Sequence, residues 1–254
     1  MASSAASKSV QTEEYARMRA VEDRYWWYVS RRALARTLLT AFLAPGGPLL
    51  DLGCGTGAFL SEWGDRAVGL DFSPEALECC HGRGLTHLVR ADAMQIPFRT
   101  ASFASVVALD SIEHVTDDLA AAREAARVLK PGGVLVINVP AFKWLWGPHD
   151  VALHHCRRYT AGQVRLLLEE AGLEVRYLSY SVFLLFPAVL LVRVLDKLRR
   201  GPAKVRLPEV GNVTNRALVR LMAMESRLSL RIPLPLGSSI AAVAVRKAEE
   251  APSQ

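Results

Sequence analysis

Cysteine is sparse in this chain of 254 residues: Cys54, Cys79, Cys80 and Cys156 form no Cys-x-x-Cys pair and no even disulfide ladder. A zinc ribbon and a disulfide scaffold are thereby excluded, and reduced thiols in a cytoplasmic protein are expected. Long apolar runs are missing too, since no stretch reaches the roughly 18 residues a membrane-spanning helix requires. The opening MASSAASKSV has no apolar centre, so no secretory leader is expected. Residues 1–11 and 248–254 read as disordered tails. Charge of neither sign dominates: 31 basic against 25 acidic side chains leave +6, much of it beyond residue 190. No aromatic–basic stripe accompanies that excess, and no nucleic-acid partner is expected. The G-x-G-x-x-G dinucleotide fingerprint is lacking as well.

What is present is the composition of a globular protein, 51% apolar and 22% charged. The chain is organised around residues 49–60, LLDLGCGTGAFL. Leu49, Leu50 and Leu52 form the short apolar run of a central parallel strand, covered on both faces. Gly53, Gly55 and Gly57 follow at every second position, where a sharp turn lets a ligand approach the main chain. Thr56 is placed to cap a helix through Ala58, Phe59 and Leu60. Asp51 beside this turn would repel a phosphate and suit a ligand carrying an ammonium group. That acid and the glycine spacing both disfavour a nicotinamide oxidoreductase. The segment resembles the first motif of the class I S-adenosylmethionine-dependent methyltransferases.

Further strands follow with helical or turn signals between them. The run 67–70 (AVGL) ends in Asp71, which lies about 20 residues beyond the first glycine, where an acid takes the hydroxyls of a ribose. Ser73 and Pro74 then open a helix. Residues 85–90, 102–109 and 134–139 read as three more strands, with an alanine-rich helix over 116–129. The resemblance implies that Asp92 receives the adenine amino group. It places Asp51, Gly53, Gly55, Gly57, Asp71, Phe72, Asp92, Ala93 and Asp110 at the cofactor. The stretch Asp110-Ser111-Ile112-Glu113-His114 resembles the family's segment beside the sulfonium, and RVLKPGG at 127–133 is among its more specific signatures.

The expected fold is therefore α/β, a Rossmann-like doubly wound sheet of seven strands with an antiparallel last strand. A helical lid would occupy 12–47, the core 48–180 with a substrate loop at 140–159, a helical insertion 181–237 and the last strand 238–247. In the lid, the aromatic cluster YWWY at 25–28 precedes Arg31-Arg32, and a helix is expected over 31–42. This pattern resembles the lid of a bacterial methyltransferase subgroup associated with glycan or lipid pathways, and Trp27 is expected at the acceptor. The loop holds H-D-x4-H-x-R-R-Y-T, which resembles the substrate side of that subgroup. His155 is the expected base and His149 the second candidate. Arg157, Arg158 and Tyr159 are expected on the acceptor, with one arginine able instead to pin the loop through Asp150 or Glu113. The loop histidines match no helix-face metal pair, so no metal is expected. In the insertion, 182–192 carries no charge or hydroxyl, and Arg193, Lys197, Arg199 and Arg200 follow. That suits a helix in a membrane interface. Function is read as O-methylation of a small-molecule or lipid- or glycan-linked acceptor. A non-catalytic membrane-associated scaffold is the alternative from another class.

Overall fold

A computed structural model describes residues 14–42, 46–198 and 210–247, with the side chains of 196–198 excepted. The two expected tails, the side chain of Lys197 and the cations Arg199 and Arg200 lie outside the described residues. Strand β1 (Leu49–Leu52) is buried at all four positions, as its apolar faces require. It pairs in parallel with β2 (Ala67–Asp71) on one side and β4 (Phe103–Leu109) on the other. Outside these lie β3 (Leu88–Arg90) and β5 (Leu129–Pro140), both also parallel. Strand β7 (Ser239–Arg246) runs antiparallel between β5 and β6 (Leu173–Ser181). The sheet order is β3-β2-β1-β4-β5-β7-β6. The chain's path reverses between β1 and β4, and a crevice opens there at the carboxyl ends of the strands.

Helices cover both faces. Helix α1 spans residues 14–21 and α2 spans Trp26–Phe42. Leu34, Leu38 and Leu39 of α2 recur at helical spacing and pack on Leu49, Val107, Val136 and Val243. After α3 (Pro74–His81), the opposite face is covered by α4 (Asp118–Val128) and, beyond the short α5 (Pro148–Ala152), by α6 (Ala161–Glu170). Ala122 and Ala125 let α4 approach closely, while Val164 and Leu168 of α6 join the same core as Leu52, Leu135 and Ile137. Burying each such leucine or isoleucine stabilises the fold by roughly 1.5–3 kcal/mol over leaving it exposed. The insertion supplies α7 (Phe186–Leu198) and α8 (Asn212–Ser229). Asn215 of α8 accepts from Trp26 N at 2.8 Å and donates to Arg24 O at 2.7 Å, so the insertion caps the start of α2. Glu225 accepts from Val182 N and Leu184 N, at 2.5 and 2.8 Å, and holds the exit of β6.

Local expectations fail at several boundaries. Thr56 caps no α-helix: two 3-10 turns, Leu60–Glu62 and Gly64–Arg66, carry the chain to β2, and the buried Thr56 hydroxyl has no hydrogen-bond partner among the described residues. Phe59 and Leu60 are buried against the sheet over this short connection, and that packing overrides the capping signal. Helix α2 begins at Trp26 rather than at Arg31, because Asn215 satisfies its first amide from another element. Strand β3 shrinks to Leu88–Arg90, and β5 already starts at Leu129. The 140–159 segment is no plain loop, since it folds into a 3-10 turn at Lys143–Leu145 and then α5.

Candidate active site

Asp51 sits at the carboxyl end of β1 with 3% of its surface exposed, and its Oδ2 has no hydrogen-bond partner among the described residues. Burial, and then the neighbouring Asp71, push its carboxyl up to about 8. A buried acid in that state is disposed to take a cation. The turn beyond it needs glycine: φ is +77° at Gly53, +53° at Gly55 and +79° at Gly57. A Cβ on Gly53 would stand 2.4 Å from that of Ser111, so the turn packs directly on the segment that follows β4.

Asp71 closes β2. Its Oδ2 accepts from Gly55 N at 2.8 Å and its Oδ1 from Ser73 N at 2.9 Å, so it ties the glycine turn to the start of α3. Burial raises its carboxyl and these backbone bonds oppose the rise. Each oxygen keeps a lone pair for a further donor. Phe72 stands beside it, 69% exposed. Asp92 Oδ1 accepts from Met94 N at 2.8 Å, which shapes the turn carrying Ala93. Asp110 has φ +51°, accepts from Asn138 Nδ2 at 3.0 Å and forms an ion pair with Arg31 of α2. All of these residues lie at or just beyond the carboxyl ends of β1, β2, β3 and β4.

Two residues that carry no motif close this edge from above. Tyr15 of α1 has its hydroxyl pushed up to about 12 by burial and by nearby Asp71, with Ser73 also in reach. Met18 Cε lies 3.2 Å from where a Gly55 Cβ would be. The α1–α2 turn is anchored through Glu22, which pairs with Arg83 at 2.5 Å, while Arg83 Nε donates to Thr56 O at 2.8 Å. Nothing in 14–21 alone signals this, because its partners Gly55 and Asp71 lie far along the chain.

The second cluster lies on the 140–159 segment. Asp150 is fully buried and accepts from Gly147 N at 2.9 Å, from Arg158 Nε at 2.7 Å and from His155 Nδ1 at 2.9 Å. Burial works against its charge, but the bonds from His155 and Arg158 outweigh burial and hold the carboxyl well below the usual range. An ionised Asp150 only accepts, so Nδ1 of His155 carries the proton and Nε2 presents a lone pair. The His155 ring stands edge-on to His114 at 4.8 Å and to His149 at 6.5 Å. Burial, and then Arg193, push His149 down to about 4.

Arg157, Arg158 and Tyr159 take other partners than the expected acceptor. Arg158 is buried and divides itself between Asp150 and Ala141 O, the latter at 2.8 Å. Arg157 pairs with Asp118 at 2.5 Å and donates to Val115 O and Thr116 O. Tyr159, 4% exposed, donates to Asp118 Oδ2 at 2.9 Å. Both arginines pin the segment, rather than one. Trp27 is differently placed: the Arg31 guanidinium lies 4.3 Å over its ring, and the two line a small cavity with Asn138, Ser181 and Met222.

Residues 50–137 match the family model described as a methyltransferase domain. Demethylmenaquinone methyltransferase of Mycobacterium marinum is 37% identical over 119 residues, 46% of this chain and 48% of that protein. An S-adenosylmethionine-dependent methyltransferase of Mycolicibacterium smegmatis is 30% identical over 160 residues, 61% of each chain. The chain thus spans about half the length of the curated relatives it matches. A chain in the complex between the Haloferax volcanii Trm112 methyltransferase activator and a methyltransferase superposes with a TM-score of 0.61. It is 23% identical, and the match covers 94% of this chain and 96% of that one, which shows a common fold. In its fold and over its central segment, residues 50–137, the chain is similar to S-adenosylmethionine-dependent methyltransferases.

Proposed function

We propose that this protein transfers the methyl group of S-adenosylmethionine to a hydroxyl of a small-molecule or lipid-linked acceptor. The observation that carries the reading is the buried Asp51 carboxyl, whose Oδ2 has no hydrogen-bond partner among the described residues, at a turn of three left-handed glycines. An ammonium group answers that orphaned oxygen, and a bound ligand follows the backbone where a Cβ would otherwise stand. Asp51 and Gly53 then hold the methionine end, Asp71 beside Gly55 holds the ribose, and Asp92 with Ala93 and Phe72 holds the adenine. S-adenosylmethionine supplies an activated methyl group on a sulfonium, so the protein's task is alignment, exclusion of water and removal of the acceptor's proton. Tyr15 and Met18 exclude water from above. His155 takes the proton on Nε2, oriented by Asp150, and His149 is the neutral imidazole next in reach.

The acceptor side favours an apolar substrate. Phe186 of α7 packs edge-on to Trp144 at 6.1 Å, and Arg193 approaches Gly147, so this helix lies against the 140–159 segment. Farther along, Leu191 is 60% exposed, and Leu190, Val192, Val194 and Leu195 are exposed with it. No helix among the described residues is long and apolar enough to cross a membrane. A helix of this length with such a face suits peripheral contact with a lipid surface. Glycan or lipid extracts incubated with S-adenosylmethionine labelled in its methyl group test the reading. Label should enter an organic-extractable acceptor, and His155→Gln should slow transfer by about 10²–10⁴ while S-adenosylhomocysteine still binds. Unchanged transfer by His155→Gln would remove the histidine from the chemistry.

A further inference from the structure

Glu113 is wholly buried, and neither of its carboxylate oxygens has a hydrogen-bond partner among the described residues. Such a group is costly to keep, because burial removes its water and nothing replaces it. The nearby cations are already engaged: Arg31 with Asp110 and Ser239, Arg158 with Asp150 and Ala141 O. What does face Glu113 is a pair of imidazoles. One oxygen of Glu113, one ring nitrogen of His114 and one of His155 lie within 4.8 Å of one another.

We infer that Glu113, His114 and His155 form a binding site for a divalent cation of the zinc class. Two imidazole nitrogens and one carboxylate oxygen are the donors such an ion takes, and they leave a fourth position open. Magnesium and calcium prefer donor sets made of oxygen alone, so this cluster discriminates against them. Ligands around a tetrahedral zinc stand about 3.4 Å apart, so donors within 4.8 Å of one another need close by at most about 1.4 Å, within reach of side-chain rotation. The supporting shell is already in place. His155 gives its Nδ1 proton to buried Asp150, the arrangement that fixes a metal-binding imidazole and frees its other nitrogen.

The backbone brings the three together from distant parts of the chain. Glu113 and His114 end the 3-10 turn Ile112–His114 that follows β4. Cys156 N donates to Glu113 O at 2.8 Å, and Cys156 Sγ to His114 O at 3.5 Å, which staples the His155 segment onto that turn. Spacing along the sequence hid the cluster, since two ligands are adjacent and the third lies 42 positions beyond Glu113. The site itself does not depend on the methyl-transfer reading. Within that reading, His155 acts as base in the metal-free protein, and an ion bound at Nε2 would instead supply a Lewis acid for the acceptor hydroxyl.

The test uses the full chain, stripped with a chelator and titrated with Co²⁺ as a spectroscopic stand-in for zinc. One equivalent should give visible absorption bands of a low-coordinate site, and Zn²⁺ should displace them. Glu113→Gln, His114→Ala and His155→Ala should each weaken binding more than about tenfold. Glu113→Gln conserves shape, so it carries the test if a histidine variant fails to fold. Wild-type protein that takes up neither Co²⁺ nor Zn²⁺ overturns the inference, as do bands that survive in all three variants. Calorimetry with S-adenosylhomocysteine on the same stripped protein keeps the two readings apart: its failure beside intact Co²⁺ bands would sink the methyl-transfer reading alone.

Discussion

Asp51 joins the local chemistry of the strand end to a measurable dependence on pH. Its carboxyl titrates at about 4 in an unfolded chain and is pushed up to about 8 in the folded one. The folded state therefore holds this proton more tightly. The resulting stabilisation is complete below about pH 4 and is lost as pH rises through about 8. Asp51→Asn lacks this titration, so its melting temperature should gain on the wild type progressively from about pH 5 to about pH 8. A bound ammonium reverses the preference and favours the ionised carboxylate. Binding of S-adenosylhomocysteine at neutral pH should then release a proton, seen as a calorimetric heat that changes with the ionisation enthalpy of the buffer. A melting difference that stays flat with pH would show that the carboxyl is not raised. Residues such as Asp51, Gly53 and Asp71 are legible in the sequence because strand, turn and acid are set by spacing within one supersecondary unit. Glu113 is not, since its lack of hydrogen-bond partners among the described residues arises only when the turn after β4 meets a segment far along the chain.

At the scale of elements, the segment 140–159 and helix α7 show where pattern reading works and where it stops. The residue types of H-D-x4-H-x-R-R-Y-T single out the segment, yet their partners cannot be read from them. Asp150 sits at the centre and absorbs both His155 and Arg158, while Asp118 of α4 absorbs Arg157 and Tyr159. Thr56 shows the opposite failure, a good capping residue left without a helix because Phe59 and Leu60 find a better burial in the 3-10 connection. The unbroken apolar character of 182–192 does announce that the segment needs a cover other than water. In the structure its end, Leu190 and Leu191, and the following Val194 and Leu195 are exposed along α7. If that face meets lipid, the protein should co-sediment with vesicles containing anionic lipid at low salt, where attraction to the surface is strongest. Leu191→Asp with Leu195→Asp should abolish sedimentation and leave S-adenosylhomocysteine affinity unchanged. Wild-type protein that stays in the supernatant would rule out the interfacial reading and turn the search toward soluble acceptors.

Across the whole molecule, the order β3-β2-β1-β4-β5-β7-β6 places the glycine turn, Asp71, Asp92 and the turn after β4 along one edge of the sheet. The number of strands and the antiparallel last one follow from the alternation of apolar runs and turn signals with the family resemblance. The lid and the insertion do not, because their mutual docking through Asn215 and the Trp26 amide joins positions 189 residues apart. The molecule is a sheet with the glycine turn and its acids along one edge, an N-terminal helical segment packed near that turn and an insertion that braces that segment through Asn215. The most direct measurement of this account is a calorimetric titration of the wild-type chain with S-adenosylhomocysteine, run beside NAD. One equivalent of S-adenosylhomocysteine should bind and NAD should not. Asp71→Ala, which removes the acceptor of two charge-assisted hydrogen bonds, should weaken that binding by roughly 2–4 kcal/mol. Absence of S-adenosylhomocysteine binding, or equal binding of NAD, would contradict the assignment of this edge.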